Sequence, residues 1–212
     1  YATFAVAILL GTYLVWVGGS AIVVVGLTSV ASGIAYTGGP APYGYRGLGD
    51  LFVFVYFGLV AVTGTYYVQA AAVAVAGVPT FTAPADLVPL AAVVAALPAA
   101  GLSTCILVVN NIRDRETDAE AGKRTLAVTL GYTGSRIEFL LMLGMAYVVP
   151  VVFAATGYGL ATLAPLVTLP LAARLARTVL TETGGEALNP ALETTGKLLF
   201  AHSLLFAAGL AV

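Results

Sequence analysis

The residues best suited to chemistry lie in one short segment, residues 110–124, with the sequence NNIRDRETDAEAGKR. We call it the charged segment. Two of its carboxylates, Asp114 and Asp118, are four residues apart, so on a helix they share one face. Asn110 and Asn111 precede them by about one turn on nearly the same face. Two such carboxylates repel each other, and a divalent cation between them turns the repulsion into binding. The spacing therefore predicts a metal site.

Mg²⁺ suits this site because it prefers oxygen ligands and is usually held by one or two carboxylates together with substrate phosphates. Lys123 and Arg124 follow in the same segment and can contact phosphate oxygens, the arginine in a bidentate manner. The alternative is a solvated loop whose charges only set the topology, and the DxxxD spacing alone does not exclude it. The flanking asparagines and the basic pair favour a diphosphate site bound through a metal.

The rest of the chain is unusually apolar for a protein that carries such a segment. Of its 212 residues, 60% are hydrophobic and only 9% are charged, whereas soluble domains carry roughly 25% charged residues. The net charge of −1 offers no basic surface for a nucleic acid. The composition indicates a protein whose solvent is the lipid bilayer.

Seven apolar runs are long enough, or nearly so, to cross a bilayer, which takes about 20 residues. Glycine and proline separate them, notably at 18–19, 38–49, 77–84, 157–159 and 184–190. Runs of this length exceed strands, and open sheets cannot face lipid. We therefore predict an all-α membrane protein formed by a single domain, residues 1–212. The predicted spans are 1–15, 20–36, 51–70, 87–110, 137–156, 160–180 and 197–212.

The placement of the cations supports these spans. All nine lysines and arginines fall in or beside three alternate connections, 37–50, 111–136 and 174–197. The intervening connections carry none. By the positive-inside rule, the charged connections are predicted to be cytoplasmic. This interpretation puts the loop 36–50 on the same side of the membrane as the charged segment.

Three further residues have side chains capable of chemistry but have simpler interpretations. Cys105 falls within an apolar run and is predicted to be a small core residue. His202 lies in the last predicted span, where a satisfied or lipid-interface histidine is favoured over a catalytic one. Asp50 opens the third predicted span, where capping of the helix is as plausible as catalysis.

Three segments together resemble a known family. The run NNIRDRETDAEAGKRTLAVTLG at 110–131 resembles the second aspartate-rich motif of the UbiA superfamily of intramembrane prenyltransferases. The segments YTGGPAPYGYRGLGD at 36–50 and YFGLVAVTGTYYVQ at 56–69 are similar to the branch that prenylates 1,4-dihydroxy-2-naphthoate in menaquinone synthesis, known as MenA.

The resemblance implies a bundle of nine transmembrane helices around a central cavity, with two aspartate-rich motifs on the cytoplasmic side. The second motif maps onto Asp114 and Asp118. An element like the first is absent, because no acidic residue precedes Arg46. We therefore expect about seven of the nine helices here, without the first two and the loop after them, and a numbering that starts inside a longer protein.

The resemblance also implies the reaction. A polyprenyl group would pass from polyprenyl diphosphate to 1,4-dihydroxy-2-naphthoate with Mg²⁺ as cofactor, giving demethylmenaquinone at the cytoplasmic face of a prokaryotic membrane. Asp114 and Asp118 would be catalytic metal ligands. Tyr43, Tyr66 and Tyr67 are candidates to face the allylic carbocation, with an aromatic belt at the membrane interface as the alternative, which is favoured for Tyr66 and Tyr67. The predicted substrate-binding residues are Asn110, Asn111, Arg46, Lys123, Arg124, Tyr43 and Tyr45.

Two alternatives remain open at this point. The acceptor could be another aromatic compound, such as 4-hydroxybenzoate, because the loop 36–50 is weak evidence for one particular ring. A transporter is less favoured, since transporters place ionisable residues inside their spans and the predicted spans contain almost none.

Overall fold

The computed structural model describes residues 2–40, 42–74 and 87–212, and this part of the chain forms six helices and no strand. The fold is thus the all-α bundle that the sequence predicts. The helices are α1 (Ala2–Thr37), α2 (Gly49–Ala74), α3 (Leu90–Glu120), α4 (Leu126–Ala155), α5 (Leu160–Thr181) and α6 (Gly185–Leu210). A short 3₁₀ turn, Tyr43–Tyr45, lies between α1 and α2.

The seven predicted spans fall in these six helices. The runs 1–15 and 20–36 both belong to α1, which continues through the predicted break. Gly19 nevertheless has a non-helical backbone, with φ 65° and ψ −152°, so the break survives as a local interruption. Glycine tolerates this conformation because it has no Cβ. The predicted break at 77–84 lies outside the described residues.

The predicted break at 184–190 is shorter in the structure. Helix α6 begins at Gly185 and includes Pro190, although proline usually ends or distorts a helix. The flanking residues Leu188 and Ala191 are 0% and 3% exposed. Burial of this apolar face stabilises the first turns of α6 despite the proline, because packing contributes more to helix stability than local propensity does.

Five of the described helices are long and apolar enough to cross a membrane: Ala5–Thr37 within α1, α2, α3, α4 and α5. Helix α6 has 26 residues but is more polar, since it carries Glu193, Lys197 and His202. Large apolar side chains such as Leu9 and Phe57 are 70% and 71% exposed. Soluble proteins seldom expose apolar surface on this scale. The chain is an integral membrane protein.

The three charged connections meet at one end of the bundle, in agreement with the cation distribution. The backbone N–H of Arg124 donates to the carbonyl of Tyr45 at 2.9 Å, which joins the α3–α4 connection to the α1–α2 connection. Arg136 Nε donates to the carbonyl of Val179 at 3.0 Å near the end of α5. We call this end the polar end of the bundle.

Helix α3 forms the centre of the main core. Its residues Leu102, Cys105 and Ile112 are fully buried, together with Phe139 of α4 and Leu198 of α6. The Cys105 thiol lies 3.6 Å from the carbonyl oxygen of Phe139, so the prediction of a core cysteine is confirmed. A helix with partners on several sides is well suited to hold functional groups in fixed positions.

Tyr67 connects α2 to α1 beside the interruption. Its side chain is buried, and its hydroxyl donates to the carbonyl of Gly18 at 2.9 Å. We expect Tyr67→Phe to lower the free energy of unfolding by about 1 kcal/mol, the net value of one buried hydrogen bond. Tyr66→Phe is the matched control, because Tyr66 is 43% exposed. Thermal unfolding in detergent measures both, and equal midpoints for the two variants would contradict a stabilising role for this hydrogen bond.

Candidate active site

A cavity of about 190 Å³ lies at the polar end of the bundle, beside the last turns of α3. It brings together parts of the chain that are far apart in sequence: the end of α1, the α1–α2 connection, the start of α2 and the charged segment. Its polar lining residues are Tyr36, Thr37, Tyr45, Asp50, Asn110, Asn111, Asp114, Asp118, Lys123 and Thr125.

Helix α3 presents the predicted carboxylates to this cavity. It runs on to Glu120, about three turns beyond the apolar run, so Asp114 and Asp118 share a face as the spacing predicts. Gly122, with φ 72°, then reverses the chain. The Lys123 N–H donates to the carbonyl of Asp118 at 2.9 Å, as in a Schellman C-cap. This turn brings Lys123 back over the end of the helix.

Lys123 and Asp118 form an ion pair at the cavity wall. The ammonium lies 2.6 Å from Asp118 Oδ1, and the residue Asp118 is only 7% exposed. The hydrogen bond to Asp118 raises the pKa of Lys123 above its ordinary value. The ammonium also lies 5.5 Å from the centre of the Tyr45 ring, within the range of a cation–π contact.

Asp114 is held by Arg113, a cation that the DxxxD spacing does not predict as its partner. Arg113 Nε and Nη2 donate to the two Asp114 carboxylate oxygens, both at 2.7 Å. Arg113 also donates to Asn110 Oδ1 and to Asn189 Oδ1 of α6, each at 2.8 Å. Neighbouring residues on a helix normally point in different directions, so helical spacing gave no indication of this pairing. The flexible arginine side chain makes it possible.

Asp50 reaches the same cavity from the first turn of α2. It is 4% exposed, and the Asn111 amide lies 3.5 Å from each of its carboxylate oxygens. The residue at the N-cap of α2 is Leu48, and no side chain caps this helix. Asp50 is therefore not the N-cap residue of α2, although its carboxylate accepts a hydrogen bond from its own backbone N–H in the first turn. A carboxylate at the start of an apolar span is costly. This cost is the feature of the sequence that could have indicated Asp50 as a site residue.

A model of the UbiA prenyltransferase family matches residues 1–204. The chain belongs to the UbiA prenyltransferase family. The resemblance derived from the three sequence segments is confirmed.

Individual relatives agree with the family model. The 1,4-dihydroxy-2-naphthoate octaprenyltransferase of Mycobacterium tuberculosis is 40% identical over 210 residues, which are 99% of this chain and 66% of that protein. The protein of the same name from Escherichia coli is 34% identical over 188 residues, 88% of this chain and 56% of the relative. Human UbiA prenyltransferase domain-containing protein 1 is 34% identical over 175 residues, 82% of this chain and 46% of the relative. The chain thus spans about half to two thirds of the lengths of these relatives.

Two of the predicted substrate-binding residues of this UbiA-family chain lie just outside the cavity. Arg46 and Arg124 line a more open surface cleft on the other side of Tyr45. Tyr45 lines both the cavity and the cleft, whereas Gly47, with φ 74°, lines the cavity alone. Both arginines are therefore near the predicted diphosphate site, but they do not share its walls.

The other predicted aromatic residues have structural contacts instead. Tyr43 stacks on Phe52, with ring centres 3.9 Å apart, and its hydroxyl donates to the carbonyl of Ser32 at 2.7 Å. Tyr66 and Tyr67 lie farther along α2 and do not line the cavity. Tyr36 does line it, although we did not predict it as a site residue.

His202 is also outside the cavity. It lies on α6, is fully buried and packs edge-to-face on Tyr147 of α4, with ring centres 5.2 Å apart. This position is in the core, so the suggested place at a lipid interface is wrong.

The donor atoms of the cavity suit a hard cation. In residues 2–40, 42–74 and 87–212, no three histidine, cysteine, aspartate or glutamate side chains converge as a complete metal site. The cavity offers carboxylates instead, with Asp114 and Asp118 one turn apart on α3. Such a pair matches the way Mg²⁺ is commonly bound, by one or two carboxylates with the remaining ligands from phosphate and water.

Proposed function

We propose that this protein transfers a polyprenyl group from polyprenyl diphosphate to 1,4-dihydroxy-2-naphthoate with loss of CO₂, giving demethylmenaquinol, the hydroquinone form of demethylmenaquinone. The observation that carries the proposal is the joint placement of Asp114, Asp118 and Lys123 in one cavity at the polar end of a membrane-spanning helix. The names of the bacterial relatives support the naphthoate as acceptor.

In this proposal, the charged segment binds the diphosphate. Asp114 and Asp118 would hold Mg²⁺, which would supply Lewis-acid stabilisation of the charge on the leaving diphosphate. Lys123 and Arg113 are close enough to these carboxylates to contact phosphate oxygens as well. Charge-assisted hydrogen bonds of this kind are about twice as strong as neutral ones. The protein's own part is thus to orient the diphosphate and to stabilise its departure.

The size of the cavity limits what it can hold. Its volume of about 190 Å³ is below the roughly 300–1,000 Å³ that is typical of pockets for drug-sized ligands. It suits the diphosphate and the reacting end of the substrates, while the polyprenyl chain extends along apolar surface within the membrane. Tyr36 and Tyr45 supply aromatic faces at the reacting end, where an allylic carbocation would be stabilised by about 0.5–2 kcal/mol per ring.

The orientation of the site follows from the cations. The connections that meet at the polar end contain Arg46, Lys123 and Arg124, and basic connections remain on the cytoplasmic side. We therefore propose that the cavity opens to the cytoplasm, where a water-soluble naphthoate and Mg²⁺ are both accessible.

The test is an assay of membranes that contain the protein, with a long polyprenyl diphosphate and several aromatic acceptors. We expect prenylated product from 1,4-dihydroxy-2-naphthoate, and much less from 4-hydroxybenzoate. EDTA should abolish product formation and excess Mg²⁺ should restore it, because the carboxylates need the cation to bind a diphosphate. Chromatography with mass detection identifies the product.

Each outcome of that assay has a distinct meaning. A preference for 4-hydroxybenzoate would support the alternative acceptor and contradict the naphthoate. Transfer that continues at full rate in EDTA would contradict the metal site. The lack of any transfer to any acceptor would contradict the proposed enzyme class.

A further inference from the structure

The diphosphate chemistry proposed above makes no use of Asp50, the most deeply buried carboxylate of the cavity. The residue is 4% exposed, and the Asn111 amide is its polar side-chain contact, at 3.5 Å from each carboxylate oxygen. These distances are at the long limit for hydrogen bonds. Among the described residues, no lysine or arginine forms an ion pair with Asp50. The backbone N–H of Asp50 itself is a further donor, but both donors are neutral. A buried carboxylate without a cation beside it is costly, and a donor from a bound molecule would lower that cost.

The depth of Asp50 indicates which molecule supplies the donor. Its contact residue Asn111 comes before both predicted metal ligands on α3, and so it lies nearer the apolar part of that helix. At 1.5 Å per residue, the distance along the axis is about 4.5 Å to Asp114 and about 10 Å to Asp118. Asp50 therefore lies on the membrane side of the predicted diphosphate site. The allylic carbon of a polyprenyl diphosphate bound at Asp114 and Asp118 would point in the same direction, toward the apolar part of the bundle. The aromatic acceptor must meet that carbon there.

We propose that Asp50 accepts a hydrogen bond from a ring hydroxyl of the aromatic acceptor and takes up its proton during transfer. This inference rests on the proposed function. As the ring carbon attacks the allylic carbon, a carbon–carbon bond forms, and the carbon–oxygen bond to diphosphate breaks with its electron pair on oxygen. The hydroxyl proton passes to Asp50 and leaves a ring ketone. Loss of CO₂ from the attacked carbon then leaves its electron pair in the ring, which becomes aromatic again, and the proton returns from Asp50 to the ring oxygen.

Asn111 is a positioning residue in this arrangement. Its amide spans both oxygens of Asp50 and limits rotation of the carboxylate. A role for Asp50 as a third metal ligand is disfavoured, because the described residues contain no three-carboxylate group that could hold a metal ion. The walls of the cavity thus divide into an outer part for the diphosphate and an inner part for the acceptor hydroxyl.

The first test compares Asp50→Asn with Asp50→Glu. Asp50→Asn keeps the shape but removes the proton acceptor, so we expect kcat to fall by about 10²-fold or more, as for other lost general bases. Asp50→Glu should restore at least about a tenth of the original kcat, since it keeps the proton acceptor. Binding of Mg²⁺ with polyprenyl diphosphate should be unchanged in both variants. Glu120→Gln is the matched control, because Glu120 is exposed at the end of α3 and does not line the cavity.

The second test uses two monohydroxy naphthoates, each of which lacks one hydroxyl of the proposed acceptor. With the analogue that lacks the contacted hydroxyl, the unsubstituted protein and Asp50→Asn should have equal, low rates. With the other analogue, the difference between them should persist. A normal kcat for Asp50→Asn would overturn the inference. So would a loss of rate in Asp50→Asn that is equal with all three acceptors and is accompanied by lost diphosphate binding. Failure of the unsubstituted protein to use any naphthoate would instead contradict the proposed function.

Discussion

Replacement of Asp118 by asparagine should reduce polyprenyl transfer by at least about 10²–10³-fold, which corresponds to about 3–4 kcal/mol of lost transition-state stabilisation. Asp118 is the more buried of the two predicted metal ligands, at 7% exposure. Asparagine keeps its size but removes the negative charge that binds the cation. The measurement is kcat/KM at several Mg²⁺ concentrations, and the apparent affinity for Mg²⁺ should fall together with the rate. Asp114→Asn should act in the same direction.

Two companion variants separate this effect from a general loss of structure. Glu120→Gln removes an exposed carboxylate from the same end of α3 and should leave the rate unchanged. Lys123→Ala removes the ion-pair partner of Asp118 and should weaken diphosphate binding without abolishing the dependence on Mg²⁺. If Asp118→Asn turned over at the normal rate with the normal Mg²⁺ dependence, the assignment of the diphosphate site would be wrong.

The parts of this site that could be predicted from the sequence are those set by local periodicity. Asp114 and Asp118 are four residues apart, and a helix that continues past the membrane places them on one face whatever surrounds it. The apolar runs likewise predict the helices, because backbone groups in lipid must be satisfied within each segment. The grouping of the charged connections at one end of the bundle follows from the positive-inside rule.

The parts that could not be predicted depend on packing between distant segments or on turn geometry. Asp50 and Asn111 are 61 residues apart in sequence, and they meet only because α2 packs on α3. Arg46 and Arg124 line the neighbouring cleft, and each lies within two residues of a glycine with positive φ, Gly47 or Gly122. No periodicity in the sequence specifies either arrangement.

The packing of α2 on α3 can itself be tested at Gly58. This glycine is buried in the π-helical segment Phe54–Val60, and a Cβ atom on it would overlap the Cα and Cβ of Ala100. Gly58→Ala must therefore push the helices apart, at a cost of about 1–3 kcal/mol, as for other overpacked sites. Because Asp50 lies on the same helix, we expect lower thermal stability together with a loss of turnover. Thermal unfolding in detergent and the transfer assay measure the two effects.

Gly64→Ala is the matched control, because a Cβ on Gly64 would meet no atom within 4 Å. It should leave turnover unchanged and stabilise α2 by about 0.5–1 kcal/mol, the usual gain of alanine over glycine in a helix.

The double variant Gly58→Ala with Ala100→Gly should recover only part of the loss, since the backbone Cα of residue 100 remains in the way. Such partial recovery is the non-additivity expected of residues in contact. If Gly58→Ala lowered stability but left turnover and acceptor binding intact, then this helix contact would not be what holds Asp50 against Asn111. The position of Asp50 would then depend on the α1–α2 connection, which the hydrogen bond between Arg124 and Tyr45 joins to the charged segment.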